Sequence, residues 1–167
     1  GLDEEIVDVF DEEETDRLRK NQYGEYYEMQ EGGYHNNSMA VEREVCKIVE
    51  QGDVAAFTKF VRNVPYLSVG LTSSSPLRQK KNLAIISIAV LARAAIRGGM
   101  DENAALLLSD NYIRHVENSF TDKQIDSIQI DMFSRFVHVV SDIRAEKEES
   151  HTMETVVQYV REHVNRP

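Results

Sequence analysis

Along most of this chain apolar residues recur at intervals of three and four, the spacing of one face of an α-helix. From Ser38 the face is Val41, Val45, Ile48 and Val49; Gly52 ends that helix. Asp53 caps its partner, which carries Phe57, Phe60, Val61 and Val64 and is closed by Pro65. A loop extends to Ser75, with Tyr66, Leu67, Val69 and Leu71 to hold it on the core. Ser75 and Pro76 form a cap and a first helical residue. Leu83 to Ile96 is then apolar on nearly every side, broken only by Ser87 and Arg93. Such a helix is surrounded by protein, and the run is too short to cross a bilayer, which takes about 20 apolar residues. Gly98-Gly99 stops it, and Asp101 caps a second helix with Ala105, Leu108, Tyr112 and Val116 on one face. From Thr121 or Asp122 a long helix carries Ile125, Ile128, Met132, Phe136, Val139 and Ile143, widened by Phe133, Val137 and Val140. The stripe fades over Arg144–Glu149, a solvated face or a linker. A last helix opens at His151 or Thr152, with Met153, Val156, Val157, Val160 and Val164 on one side.

This pattern predicts an all-α fold: an irregular bundle of antiparallel helical hairpins around a buried central helix, Pro76–Arg97. Two hairpins in succession raise the question of a repeat solenoid, but no sequence period recurs. The division expected is an acidic, tyrosine-rich segment over 1–37, a helical domain over 38–149 and a final helix over 150–167. In the first segment, Leu2–Arg19 fits a short strand and a helix or one frayed helix; a helix over Glu12–Lys20 is favoured. Tyr23, Tyr26, Tyr27 and Tyr34 then suit a segment lying on a surface, either a loop over the core or the tail of an upstream domain.

Charge changes the functional picture more than the fold. The net charge is −10, and residues 1–31 hold 12 acids against 3 bases while the other 136 residues are nearly balanced. Phosphate-backbone binding needs clustered Lys and Arg, and the chain does not supply it. The start, Gly1-Leu2-Asp3-Glu4-Glu5, is acidic where a secretory signal is basic and then apolar. The single Cys46 rules out an internal disulfide framework and fits a reducing compartment. A cytoplasmic protein without a membrane partner is expected. With Gly1 in place of an initiating Met, the chain is expected to be a piece of something longer.

The stretch SPLRQKKNLAIISIAVLARAAIRGGMDENAALLLSDNYI, Ser75 to Ile113, resembles the helical region before the DNA-binding domain in AraC-type transcription regulators of Gram-positive bacteria. The shared strings are LRQ-K-N, RAAI-GG and A-LSD-YI, in that order. NNSMAVEREVCKIVEQGD, from Asn36, resembles the hairpin that opens that region, and METVVQYVREHVNRP, from Met153, the lead-in helix of the DNA-binding domain. The resemblance covers about three quarters of the chain. It implies a regulatory region for self-association, effector response or domain coupling, with a small molecule or a protein as effector. It also implies that both helix-turn-helix units follow Pro167. The family's base-contacting residues lie in those units, so DNA is met only through them and no such residue maps onto this chain. From the residues alone, a stand-alone helical adaptor for a protein partner is the alternative.

Candidate chemistry is sparse. Arg93 lies inside an apolar helix and Asp110 across the predicted hairpin, both within strings of the resemblance, so a buried structural ion pair is expected. An exposed Arg93, with Asp110 serving Arg114, is the alternative. Arg78, Lys80 and Lys81 form the one compact basic cluster, at a helix start beside three serines, where an anionic effector could sit. His35, His115, His138, His151 and His163 show no ligand spacing, so no metal or cofactor is expected. Cys46 reads as core. No nucleophile–base set, phosphate loop or carboxylate pair appears, so no enzyme is expected. A two-fold homodimer is expected instead, through Ile125, Ile128, Met132, Val139 and Ile143, because that apolar band is wider than one packing partner requires.

Overall fold

The computed structural model describes residues 16–17, 20, 38–64 and 72–164. Five helices are bounded within them: α1 (Ser38–Gln51), α2 (Val54–Arg62), α3 (Pro76–Arg97), α4 (Glu102–Glu117) and α5 (Asp122–Val164). Among the described residues there is no strand, so the all-α bundle expected from the apolar spacing is what the chain forms. Asp16, Arg17 and Lys20 are also helical and exposed. The rest of the tyrosine-rich segment, His35, and the loop with Tyr66, Leu67, Val69 and Leu71 lie outside the described residues. By contacts the chain divides into residues 1–36 and 37–167, and the five bounded helices all belong to the second unit.

The predicted caps hold. The Asp53 carboxylate accepts from Ala56 N at 2.8 Å, the Ser75 hydroxyl from Arg78 N at 3.4 Å and the Asp101 carboxylate from Ala104 N at 2.9 Å. Each satisfies an amide that its helix leaves unpaired. At the start of α5, Gln124 reaches back to accept from the amides of Phe120 and Thr121. Helix α2 ends at Arg62 with Asn63 as its C-cap, so Val64 lies beyond it and is exposed.

Helix α3 is the centre of the bundle, touching α1, α4 and α5. Ala84, Ile88, Leu91, Ala92, Ala94 and Ala95 are buried on it. Four of these six are alanines, which lets the neighbouring helices approach closely. The helix is not enclosed on every side: Ile86, Arg93 and Arg97 face outward. The core is completed by Val49 from α1, Ala105, Tyr112 and Val116 from α4, and Ile125, Met132, Phe136, Val137 and Val140 from α5. Phe57 and Phe60 of α2 meet Phe133 edge-on, with ring centroids 4.9 and 5.7 Å apart.

Two glycine turns clamp α5 where it leaves the bundle. Gly52 has φ +61°, and a Cβ there would lie 2.5 Å from Ser141 N. At Gly98 a Cβ would lie 2.7 Å from a Val140 methyl and 2.9 Å from the Glu50 carbonyl oxygen. Only a residue without a side chain lets backbone and helix meet this closely. Arg144 adds a hydrogen bond, donating to the Glu50 carbonyl at 3.0 Å, one of the acceptors that the end of α1 leaves open.

Helix α5 corrects one expected helix boundary. The structure has no linker over Arg144–Glu149 and no separate helix from His151; one helix of 43 residues runs to Val164. At 1.5 Å per residue it is about 65 Å long, against about 33 Å for α3. Charged residues at 144–149 carry strong helix propensity and no breaker, so a fading apolar stripe marks the end of packing and not of the helix.

Candidate functional site

The basic cluster at the start of α3 is occupied from within the chain. Arg78 Nη1 donates to both Glu117 carboxylate oxygens, at 3.2 and 3.1 Å. Lys80 Nζ lies 2.8 Å from the Asp126 carboxylate and 3.8 Å from that of Asp122. Lys81 donates to the Glu117 carbonyl oxygen at 2.6 Å. The three bases thus fasten the first turns of α3 to the end of α4 and the start of α5. Beside them, Gln79 Oε1 accepts from Thr72 N, the Thr72 hydroxyl and Ser73 N. With three carboxylates already set among three cations, this is a structural clasp, and an anion would have to displace its own protein's acids. Because Arg78 is half exposed, water screens the clasp and its energy is modest.

The buried Arg93–Asp110 pair does not form. Both side chains are exposed, and Arg93 turns back along its own helix to donate to the Ala89 carbonyl at 2.8 Å. Residue 93 falls on a side of α3 that none of the described helices covers, so its guanidinium is exposed and needs no buried partner. Nor does Asp110 answer Arg114, which donates to Asn111 Oδ1 at 2.9 Å.

The expected dimer stripe is spent inside the bundle. Ile125 and Met132 are 0 % and 1 % exposed, and Ile128, Val139 and Ile143 are partly buried against the core. The band is wide because it serves α2, α3 and α4 together with α1, all of which touch α5.

A polar contact that the sequence reading missed lies between α4 and α5. Tyr112, 9 % exposed, donates its hydroxyl to the Asp131 carboxylate at 2.7 Å. Burial, together with that carboxylate, pushes the Tyr112 phenol well above its ordinary pKa. The signal in the sequence was a tyrosine on an otherwise apolar face, which requires a partner for its hydroxyl. Tyr112 and Asp131 line an open cleft of about 400 Å³ with Leu108, Asn111, His115 and Ser127. A second cleft of similar size lies between α1 and α2, lined by Lys47, Asp53, Lys59 and Phe60 among others. Cys46 is partly buried, and its thiol is held above the usual value by burial and then by Glu42. His138 is exposed, its Nδ1 2.8 Å from the Ser134 carbonyl oxygen. Among the described residues no cluster of three His, Cys, Asp or Glu is arranged to hold a metal, and no helix is long and apolar enough to cross a membrane.

An exposed apolar surface lies on the far half of α5. Met153, Val156, Val157 and Val160 are 43–61 % exposed, and residues 144–162 are exposed without exception. Taken together, the features define an all-α bundle with one long helix projecting from it. No protein family, curated protein or solved structure matches the chain.

Proposed function

We propose that this chain is the regulatory region of an AraC-type transcription regulator, a non-catalytic cytoplasmic domain whose DNA-reading units lie in a continuation past Pro167. The observation that supports this reading is where the resembling strings fall. Gln79 and Lys80, in LRQ-K-N, are the residues that tie down the start of α3. Gly98 and Gly99, in RAAI-GG, form the close turn against α5. Ser109 and Tyr112, in A-LSD-YI, are the buried polar residues of α4. The strings therefore coincide with positions the fold needs, as a shared architecture requires. In this reading α5 joins the regulatory bundle to the DNA-reading units.

Two measurements test it. The coding sequence after Pro167 should continue into two helix-turn-helix units; a stop, or an unrelated domain, would sink the reading. The chain alone should show no tight, sequence-selective shift of duplex DNA in a gel, because its net charge is −10 and its basic cluster is neutralised by its own acids. The adaptor reading keeps one specific observation in its favour: Leu107 and Phe120 are 66 % and 82 % exposed.

A further inference from the structure

We infer that the cleft between α1 and α2 is a binding site for a small organic anion, one with a carboxylate or phosphate head on an aromatic body. The site is separate from the basic clasp at the start of α3, and it does not depend on any link to DNA binding.

Three observations carry it. The first is the lining. Lys47, Ile48 and Gln51 of α1 line the cleft together with Lys59, Phe60 and Asn63 of α2. Each helix thus presents the same series: a lysine, an apolar residue beside it, and an amide one turn further on. In a helix those three positions share a face. Both lysines are exposed, whereas Ile48 is buried and Phe60 partly buried. The cleft therefore has an apolar floor and a basic rim, and each helix supplies a half of both.

The second is uncommitted charge. Among the described residues neither Lys47 nor Lys59 makes an ion pair, whereas Arg78 and Lys80 are matched by Glu117, Asp122 and Asp126. The cleft also holds two acids, Glu44 and Asp53. The Asp53 carboxylate is already committed, accepting from Ala56 N at 2.8 Å. It sits at the start of α2, where the partial positive charge of the helix end offsets its own. Glu44 alone is left to oppose an anion, against two lysines that favour one.

The third is a floor that is already formed. Phe60 is held edge-on by Phe133, with ring centroids 5.7 Å apart, and Ile48 is 6 % exposed. A flat ring can lie on these two residues without moving either. The volume, about 400 Å³, falls in the range of small-molecule sites, roughly 300–1,000 Å³. Exposed lysines in water hold an anion weakly, so the ligand needs its apolar body as well as its charge.

Phenyl phosphate and phenylacetate are the probes. Each is titrated from about 0.1 to about 20 mM into the 167-residue chain at low salt, with amide NMR shifts as the readout. Saturable shifts centred on Lys47, Ile48, Lys59 and Phe60 are expected with at least one probe, and the tighter probe identifies the head group. Inorganic phosphate and benzyl alcohol each carry half of the chemistry and should bind at least about tenfold more weakly. Lys47→Gln and Lys59→Gln should each weaken binding about fivefold, and Glu44→Gln should strengthen it about twofold. Lys123→Gln, exposed and outside the cleft, should leave it unchanged. All four substituted residues are exposed, so circular dichroism and urea midpoints should match the parent. The proposal is overturned if neither probe gives saturable shifts at the cleft, or if inorganic phosphate or benzyl alcohol binds as well as the probes. Affinity indifferent to both lysine variants, or weakened by Glu44→Gln, overturns it too.

Discussion

Over Asp122–Ile143, helix α5 buries Ile125, Met132, Phe133, Phe136, Val137 and Val140. Over Arg144–Val164 the same helix, unbroken, leaves Met153, Val156, Val157 and Val160 in water. The two halves carry apolar residues at the same three-and-four spacing, yet one is core and the other is surface. Periodicity shows that a helix has an apolar face; whether the cover for that face lies in the same chain depends on where the other helices end. Here the turns that join α1 to α2 and α3 to α4 lie level with Val140 and Ser141, where Gly98 and Gly52 press on α5.

The largest effect should come from testing the two halves side by side. Phe136→Ala removes a ring that is 0 % exposed and should lower stability by about 3–5 kcal/mol. Val160→Ala, in the projecting half, should change it by no more than about 0.5 kcal/mol. Urea denaturation followed by circular dichroism measures both. Equal losses would mean that the projecting half is packed in solution, and the contrast between the halves would disappear.

Gly52→Ala comes next and probes the boundary itself. The new Cβ would sit 2.5 Å from Ser141 N, on a residue held at φ +61°. Neither the backbone of α5 nor the turn can yield cheaply, so a loss of roughly 2 kcal/mol or more is expected. If the urea midpoint is unchanged, α5 is not held at its exit and the boundary lies elsewhere.

The same boundaries explain how much is legible in the sequence. The caps at Asp53, Ser75 and Asp101, the turn at Gly98-Gly99 and the central place of α3 all follow from local rules that need only neighbouring residues. Other expectations fail because they need the third dimension. The apolar neighbours of Arg93 along the chain suggest burial, but it falls on a side of α3 that none of the described helices covers, and there the guanidinium is exposed. Ile125 and Met132 look like surplus until four helices are seen to share the face of α5 that carries them. The basic cluster suggests a place for an anion, whereas Glu117, Asp122 and Asp126, distant in sequence, come to meet it. The fading stripe at 144–149 suggests a break, because loss of apolar residues and loss of helix look alike in one dimension.

The smallest expected effect gives the packed half a chemical signature that the projecting half has no means to mimic. Tyr112 donates to Asp131 on the packed half of α5, and burial with that carboxylate raises its pKa. An unfolded tyrosine loses its proton near pH 10. Above that pH the unfolded chain gives up the proton while the folded chain keeps it, so the folded state binds more protons and stability must fall as pH rises. The contribution is complete below about pH 10 and drains away above it, toward the raised value. Urea midpoints measured from about pH 8 to about pH 11 should therefore decline at the alkaline end. Tyr112→Phe should cost about 1 kcal/mol at neutral pH, the worth of one hydrogen bond, and should flatten that decline. Asp131→Asn should flatten it in part, since burial of the phenol remains after the carboxylate is gone. An alkaline decline that is identical in all three proteins would show that Tyr112 is not held against α5, and that the packed half is less tightly closed than its buried side chains indicate.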